Sequence, residues 1–308
     1  MKRTFLSLTL SLFAFGMPVF AQKIGVLNGP SGIPCGYLME QSSQKKNSYE
    51  FEKFASAQML LPKLLKGEID IGFLPPNAAA KVFNSGNKAL TAIGISGNGN
   101  LYLMTTDQKF KDFSELAGKT VVCAGMGATP EYMFRYLLKQ KKVQNVNLDF
   151  SIPNPDIAAS LVAGKYDYAL VPEPFATVSE IKGKNVRRIS IQKIFTEATG
   201  MQSYPMTLVV CNSAWAKKNG EAVAKFAENC KEAVDWTVQN PDKAGQLSEK
   251  HQLGLASQVV QKAVPNSFYT WKNAKDGRSE IEELLKIFLD FAPNSIGGKL
   301  PGTDFYWQ

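Results

Sequence analysis

One short plan occurs twice along this chain, in the same order each time, and it narrows the fold more than any other feature. The first copy opens at residues 23–34 with KIGVLNGPSGIP and returns at 67–76 with GEIDIGFLPP. The second opens at 119–130 with KTVVCAGMGATP and returns at 164–174 with GKYDYALVPEP. Each opening is an apolar run, a Gly-rich turn with a hydroxyl residue, and a Pro where a helix would start. Each return is a helix-ending Gly, an Asp, a short apolar run and a Pro-rich exit. Two like units in one chain are therefore expected.

The runs between these marks alternate strand-like and helix-like, which predicts an α/β fold with largely parallel sheets. Strands are expected over 23–27, 69–74, 89–95, 120–124, 166–171 and 206–211. Helices are expected over 57–66, 78–84, 131–141 and 221–238. In the last of these Val223, Phe226, Cys230 and Val234 recur at helical spacing and mark a buried face. Ile281, Leu284, Leu285 and Phe288 mark another. Asn154-Pro155 reads as an N-cap followed by the first helical residue. A length of 308 residues suits two domains.

The N-terminus reads as an export signal over residues 1–21. Lys2 and Arg3 precede an uncharged apolar run over 5–15, which is too short to span a bilayer, and Gly16 and Pro18 break it. Cleavage near Ala21 would leave a chain free in the periplasm. The first Cys is Cys35, so no lipid anchor is expected at the cut. The net charge of +8 is scattered, without the basic stripe and interleaved aromatics of a nucleic-acid binder. Cys35, Cys123, Cys211 and Cys230 could pair in an oxidising compartment, but their apolar surroundings suit buried thiols. No Cys/His spacing suggests a metal, and the single His251 is expected on a solvated surface. No cofactor is expected.

Ligands of open α/β sheets lie beyond the carboxyl ends of the strands. The candidate residues are therefore those of the strand-end turns: Asn28, Gly29 and Ser31; Asn77; Ser96 and Asn98; Gly127, Ala128 and Thr129. Helix starts and free backbone N–H groups in these turns would accept anionic or polar groups. Ser31 could cap the helix after it. No Arg or Lys lies in either Gly-rich turn, which disfavours a charged clamp. Glu173 is the acidic residue of the turns. It could accept a hydrogen bond from an amine, or serve as the N-terminal acid of a helix over 175–181. Tyr37, Tyr132 and Tyr204 could stack on a flat solute or belong to core and rim.

The runs FSELAGKTVV (113–122), GMGATP and LVAGKYDYALVPEP resemble those of the SsuA/THI5-like (NMT1-like) substrate-binding proteins, with GEIDIGFLPPNAAA and EAVDWTVQNPDKAGQL in support. The resemblance covers most of the chain beyond the signal. It implies the two-lobed type II periplasmic binding fold, each lobe a mixed, mostly parallel sheet flanked by helices. Residues 22–104 and 206–308 would form the first lobe and 105–205 the second, linked by strands at 101–105 and 206–210. It also implies a monomer that captures a small solute (sulfonate, nitrate or thiamine-pyrimidine-like) between the lobes. The solute would pass to membrane permease subunits served by an ATPase. Two other readings stay open: an enzyme on the same fold, such as a pyrimidine-precursor synthase or a menaquinone-pathway lyase, and an exported sensory domain.

Overall fold

The first copy of the repeated plan folds as β1 (Gln22–Leu27), α1 (Gly32–Ser43), β2 (Tyr49–Phe54), α2 (Ala57–Lys66), β3 (Ile71–Leu74) and α3 (Pro76–Val82). This computed structural model describes residues 21–308; the expected signal, Ala21 apart, lies outside the described residues. β4 (Leu90–Asn98) and β5 (Leu101–Thr105) follow. The second copy gives β6 (Thr120–Cys123), α4 (Thr129–Gln140), β7 (Asn147–Asp149), α5 (Asn154–Val162), β8 (Tyr168–Pro172) and α6 (Phe175–Lys182). After β9 (Arg187–Ser190) and α7 (Ile191–Thr199), the chain continues through β10 (Pro205–Asn212), α8 (Ser213–Lys218) and α9 (Gly220–Gln239). It ends with α10 (Pro241–Lys250), α11 (Ser257–Ala263), β11 (Tyr269–Asn273) and α12 (Arg278–Phe291).

The echoed glycines have one physical cause. Gly67 and Gly164 each follow a helix with φ +71°, the left-handed turn that carries no steric cost only for Gly. The helix expected to start at Asn154 as a cap includes Asn154 as its first residue, with Pro153 before it.

Two mixed sheets result. One has the order β2-β1-β3-β10-β4-β11, the other β7-β6-β8-β5-β9. In the first, β1 to β4 run one way and β10 and β11 the other. In the second, only β5 is reversed. Each reversed interior strand, β10 and β5, is the one that arrives from the other sheet. The expected linkers over 101–105 and 206–210 are thus full members of the second and the first sheet respectively. The chain crosses earlier, between Asn98 and Leu101, and returns between α7 and β10. The crossings are tied together: Gly99 N donates to Tyr204 O at 3.0 Å, and Glu173 N to Asn100 O at 2.9 Å. A Cβ at Gly99 would lie 1.8 Å from Gln192 Oε1, so a larger residue there would have to displace the Gln192 side chain.

The helices cover both faces of each sheet. α9 buries Val223, Phe226, Cys230 and Val234, the stripe read from spacing, and Phe226 meets the Tyr49 ring edge-on at 5.2 Å. All four cysteines are buried free thiols, and burial holds Cys211 protonated, its pKa pushed up to about 12. His251 is less solvated than expected: its side chain is 16 % exposed and its Nε2 lies 3.1 Å from Glu40 Oε2. No helix among the described residues is long and apolar enough to cross a membrane. Phe226→Ala should cost about 3–5 kcal/mol in urea unfolding. A loss below about 1 kcal/mol, the range of ordinary surface changes, would show that α9 is not the support the core packing implies.

Candidate ligand-binding cleft

Strand direction places the turns. Leu101 pairs with Pro172, so the carboxyl ends of β6 and β8 lie at the edge where β5 enters. Pro205 pairs with Asn98, so the carboxyl ends of β1, β3 and β4 lie at the edge where β10 enters. Both edges face the crossings. The expected turns of the two sheets therefore meet across one boundary.

On one side of that boundary the meeting is already made. Asn77, 1 % exposed at the start of α3, donates through Nδ2 to Gly127 O at 3.0 Å and accepts from Thr129 Oγ1 at 3.2 Å. Gly127 N donates to Glu131 Oε2 at 2.7 Å and Ala128 N to Gly125 O. The N–H groups expected to be free in this turn are thus used within it. On the other side Gly29, φ +119°, lies opposite Phe175: a Cβ there would sit 3.8 Å from the ring. Asn28 N is held by Phe54 O. Ser31 precedes α1 but makes no capping bond through its side chain; its carbonyl accepts from Cys35 Sγ at 3.4 Å.

Ser31, Ser96, Asn100 and Tyr269 line a cavity of about 10 Å³ beneath the α1 turn, room for no more than one water molecule. Tyr269 closes it, its hydroxyl donating to Pro30 O at 2.6 Å. Its lining comes from the first lobe and from Asn100 at the crossing, so it is a void beneath the turn rather than a space between the lobes. Asn98 Oδ1, Asn100 Oδ1 and Tyr204 OH are buried near the crossings without a hydrogen-bond partner. Tyr204 is fully buried edge-on to Phe195 at 4.8 Å, so its ring face is committed to the core. Tyr37 packs on Trp236 at 4.8 Å along α1 and α9, and Tyr132 faces Phe288 of α12 at 5.9 Å. These three rings are packed rather than displayed.

Glu173 is fully buried and taken. Its Oε2 accepts from Thr177 N at 3.0 Å, the role of an N-terminal acid of α6, and its Oε1 from Thr177 Oγ1 at 3.0 Å and Arg188 Nη1 at 2.7 Å. Arg188 also pairs with Glu180, donating from Nε at 2.7 Å, and lies 5.0 Å over the Tyr102 ring. Burial pushes the Glu173 carboxyl above its ordinary pKa, with Arg188 pulling it back. Burial also works against the Arg188 charge, but Glu180 and Glu173 outweigh it and hold the guanidinium ionised. A cation thus stands behind the turns after all, brought by β9 rather than by a Gly-rich turn. Its sequence signal is thin: two arginines, Arg187-Arg188, in a short half-buried strand.

Removing that cation should be costly. Arg188→Met leaves a buried carboxylate unpaired and should cost about 3–5 kcal/mol at neutral pH. The pH dependence has a definite sign. A carboxyl whose folded pKa is raised adds stability below its unfolded value, about 4.3, and loses it as pH rises through the folded pKa. The deficit of the variant should therefore shrink on acidification towards about pH 4, and adding Glu173→Gln should relieve it at neutral pH. A deficit that is flat with pH and indifferent to Glu173→Gln would break the assignment.

Comparison with known proteins bears on the fold and the family. A Bacillus subtilis (strain 168) protein named Putative binding protein YtlA is 26 % identical over 142 residues, 45 % of this chain and 41 % of that protein's length. The crystal structure of an ABC transporter protein from Parabacteroides distasonis superposes with a TM-score of 0.78 at 21 % identity, covering 94 % of this chain and 99 % of that one. The periplasmic aliphatic sulphonate binding protein SsuA of Escherichia coli superposes with a TM-score of 0.72 at 17 % identity, covering 94 % and 92 %. These likenesses establish the two-lobed periplasmic binding protein fold. The model of the NMT1-like family matches residues 38–249, more than half of the chain, and the chain belongs to that family.

Proposed function

We propose that this chain is the exported solute-binding component of an ABC importer. It would work in the periplasm as a monomer, capture a small solute between its lobes and deliver it to permease subunits served by an ATPase. The observation that carries this reading is the convergence of strand-end turns from two separate sheets on one boundary, with buried polar side chains on both sides. Lobes joined by short crossings can close on a solute by hinge motion, and the solute acts by its differential affinity for the closed form. The lobes we propose are 22–98 with 205–308, and 101–199.

The chemistry around the crossings also favours a class of solute. Arg188 is shared between Glu173 and Glu180, so no cation is left to clamp an anion. The buried unpartnered oxygens Asn98 Oδ1 and Asn100 Oδ1 call for hydrogen-bond donors, while Tyr204 OH can give a hydrogen bond to an acceptor, so a solute carrying both is favoured. An oxyanion offers acceptors only. A small polar or aromatic organic solute bearing N–H groups fits better than a sulfonate or nitrate. Binding rather than turnover is the expected outcome, since the acidic residue of the turns is held in an ion pair.

A thermal-shift screen of residues 22–308 tests both levels. The panel holds sulfonates, nitrate, aminopyrimidines, thiamine, flavins and amino acids. A true solute at a hundred times its Kd should add about 2.7 kcal/mol, a rise of several degrees. An N–H-bearing member should give the largest shift and remain intact on long incubation. A sulfonate or nitrate as the best member would overturn the preference for donors. A shifting compound that is consumed would replace the binding reading by an enzymatic one, and silence across the panel would count against capture.

A further inference from the structure

We infer that the first lobe carries a second ligand site, on its outer pole away from the crossings, and that this site takes an organic oxyanion: a carboxylate or phosphate head on an apolar body. The inference goes beyond the reading of the chain as a capture protein and does not depend on it.

The last residues of the chain build one wall. Phe305 packs edge-on to Phe83 at 5.2 Å and to Tyr306 at 5.1 Å, which anchors the tail in the core. Tyr306 bridges to Ala92, and Trp307 N donates to Ala92 O at 2.9 Å. The tail thus meets β4 just beyond the last pairing of β11, Asn273 with Gly94. The indole of Trp307 lies against the start of α9, 3.6 Å from where a Cβ at Gly220 would stand. This is the end of β4 where Leu90 pairs with Asn212; the crossings lie at the other end, where Asn98 pairs with Pro205. At the rise of an extended strand the two ends are about 25 Å apart.

Between the tail, α8 and the start of α12 lies a pocket of about 560 Å³, within the range of small-molecule sites. Its donors decide what it takes. Lys217 of α8, Arg278 of α12 and Trp307 all line it. Arg278 donates from Nε to Glu282 Oε1 at 2.7 Å and lies 5.1 Å over the Tyr306 ring, so the guanidinium is held from two directions. Among the described residues, nothing accepts from its Nη1 or Nη2, from Lys217 Nζ or from Trp307 Nε1. Thr91 Oγ1 and Ser213 Oγ bond to each other at 2.8 Å, which leaves one hydroxyl hydrogen over. The acidic side chain of the lining, Asp304, is engaged by Lys88 at 2.6 Å.

N–H groups therefore exceed acceptors here. That is the reverse of the crossings, where unpartnered amide oxygens call for donors. The free edge of a guanidinium matches the paired oxygens of a carboxylate or phosphate, and the Lys217 ammonium adds a point charge. A bare inorganic ion would leave most of the space empty. The rings of Tyr306 and Trp307 offer the apolar surface that an organic body would cover.

NMR of isotope-labelled protein (residues 22–308) tests this through the four Trp indole N–H signals, with Trp307→Phe identifying the one at the site. Phenyl phosphate and benzoate are the probes, and inorganic phosphate is the control. The Trp307 signal should move saturably with at least one probe while that of Trp236, on α9 beside Tyr37, stays in place. The tighter of the two probes tells a phosphate site from a carboxylate site. Lys217→Gln should weaken that probe about tenfold, the scale of one charge-assisted hydrogen bond. Arg278→Lys keeps the charge but loses the fork, and should weaken it too. Lys217 is exposed near the end of α8, so its replacement should leave the fold and the other indole signals unchanged. No saturable movement at Trp307 with either probe at about ten millimolar, a range that reads even millimolar Kd values, would overturn the site. So would movement that Lys217→Gln leaves undiminished, or inorganic phosphate binding as tightly as the probes. None of these outcomes bears on capture between the lobes, whose solute screen reads the other end of β4.

Discussion

The chain passes between its two sheets twice, and both passages lie at the same edge. That constraint orders the rest. A strand entering an α/β sheet from the carboxyl edge of its neighbours must run against them, and β5 and β10 do so. Because they do, the strand-end turns of both sheets face each other instead of pointing to opposite poles. The cleft follows from connectivity before any side chain is considered, and at Gly99 the passage runs close against the Gln192 side chain.

Charge and apolar packing then share the boundary. The buried ion pair of Glu173 and Arg188 fixes the turn before α6 from inside its own lobe, since Thr177, Glu180 and Arg188 all come from the second sheet and its helices. A buried pair of this kind contributes little net stability but penalises any arrangement that breaks it. The α4–α12 contact joins the lobes instead, through non-directional burial that tolerates small adjustments and resists separation.

The sequence carries the local plan well. Gly67 and Gly164 stand where a left-handed backbone follows a helix, and a residue type so tied to one conformation is readable without neighbours. The stripe of α9 is readable for a similar reason, since period 3.6 is a property of the segment itself. The expected turns do converge, but the behaviour of their members depends on partners far along the chain. Glu173 looks free until β9 brings Arg188 to it. Asn77 looks available until a turn fifty residues later saturates it. Tyr204 looks like a stacking ring until α7 places Phe195 against it. The strands at 101–105 and 206–210 read as links from spacing alone, because a strand's sheet membership is decided by pairing with distant strands, which spacing does not encode.

The position of β10 also says something about time. It lies between β3 and β4, strands that precede it by more than a hundred residues. Until β10 has been made, β3 and β4 have no common neighbour, and each presents an open edge. The second sheet has no such debt to the future, because β5 to β9 are contiguous in the chain. It can close from pairings near in sequence while the first waits on long-range ones, which are slow to form. The part of the molecule made first is thus completed last, after β10 has joined its halves and β11 has covered the edge of β4.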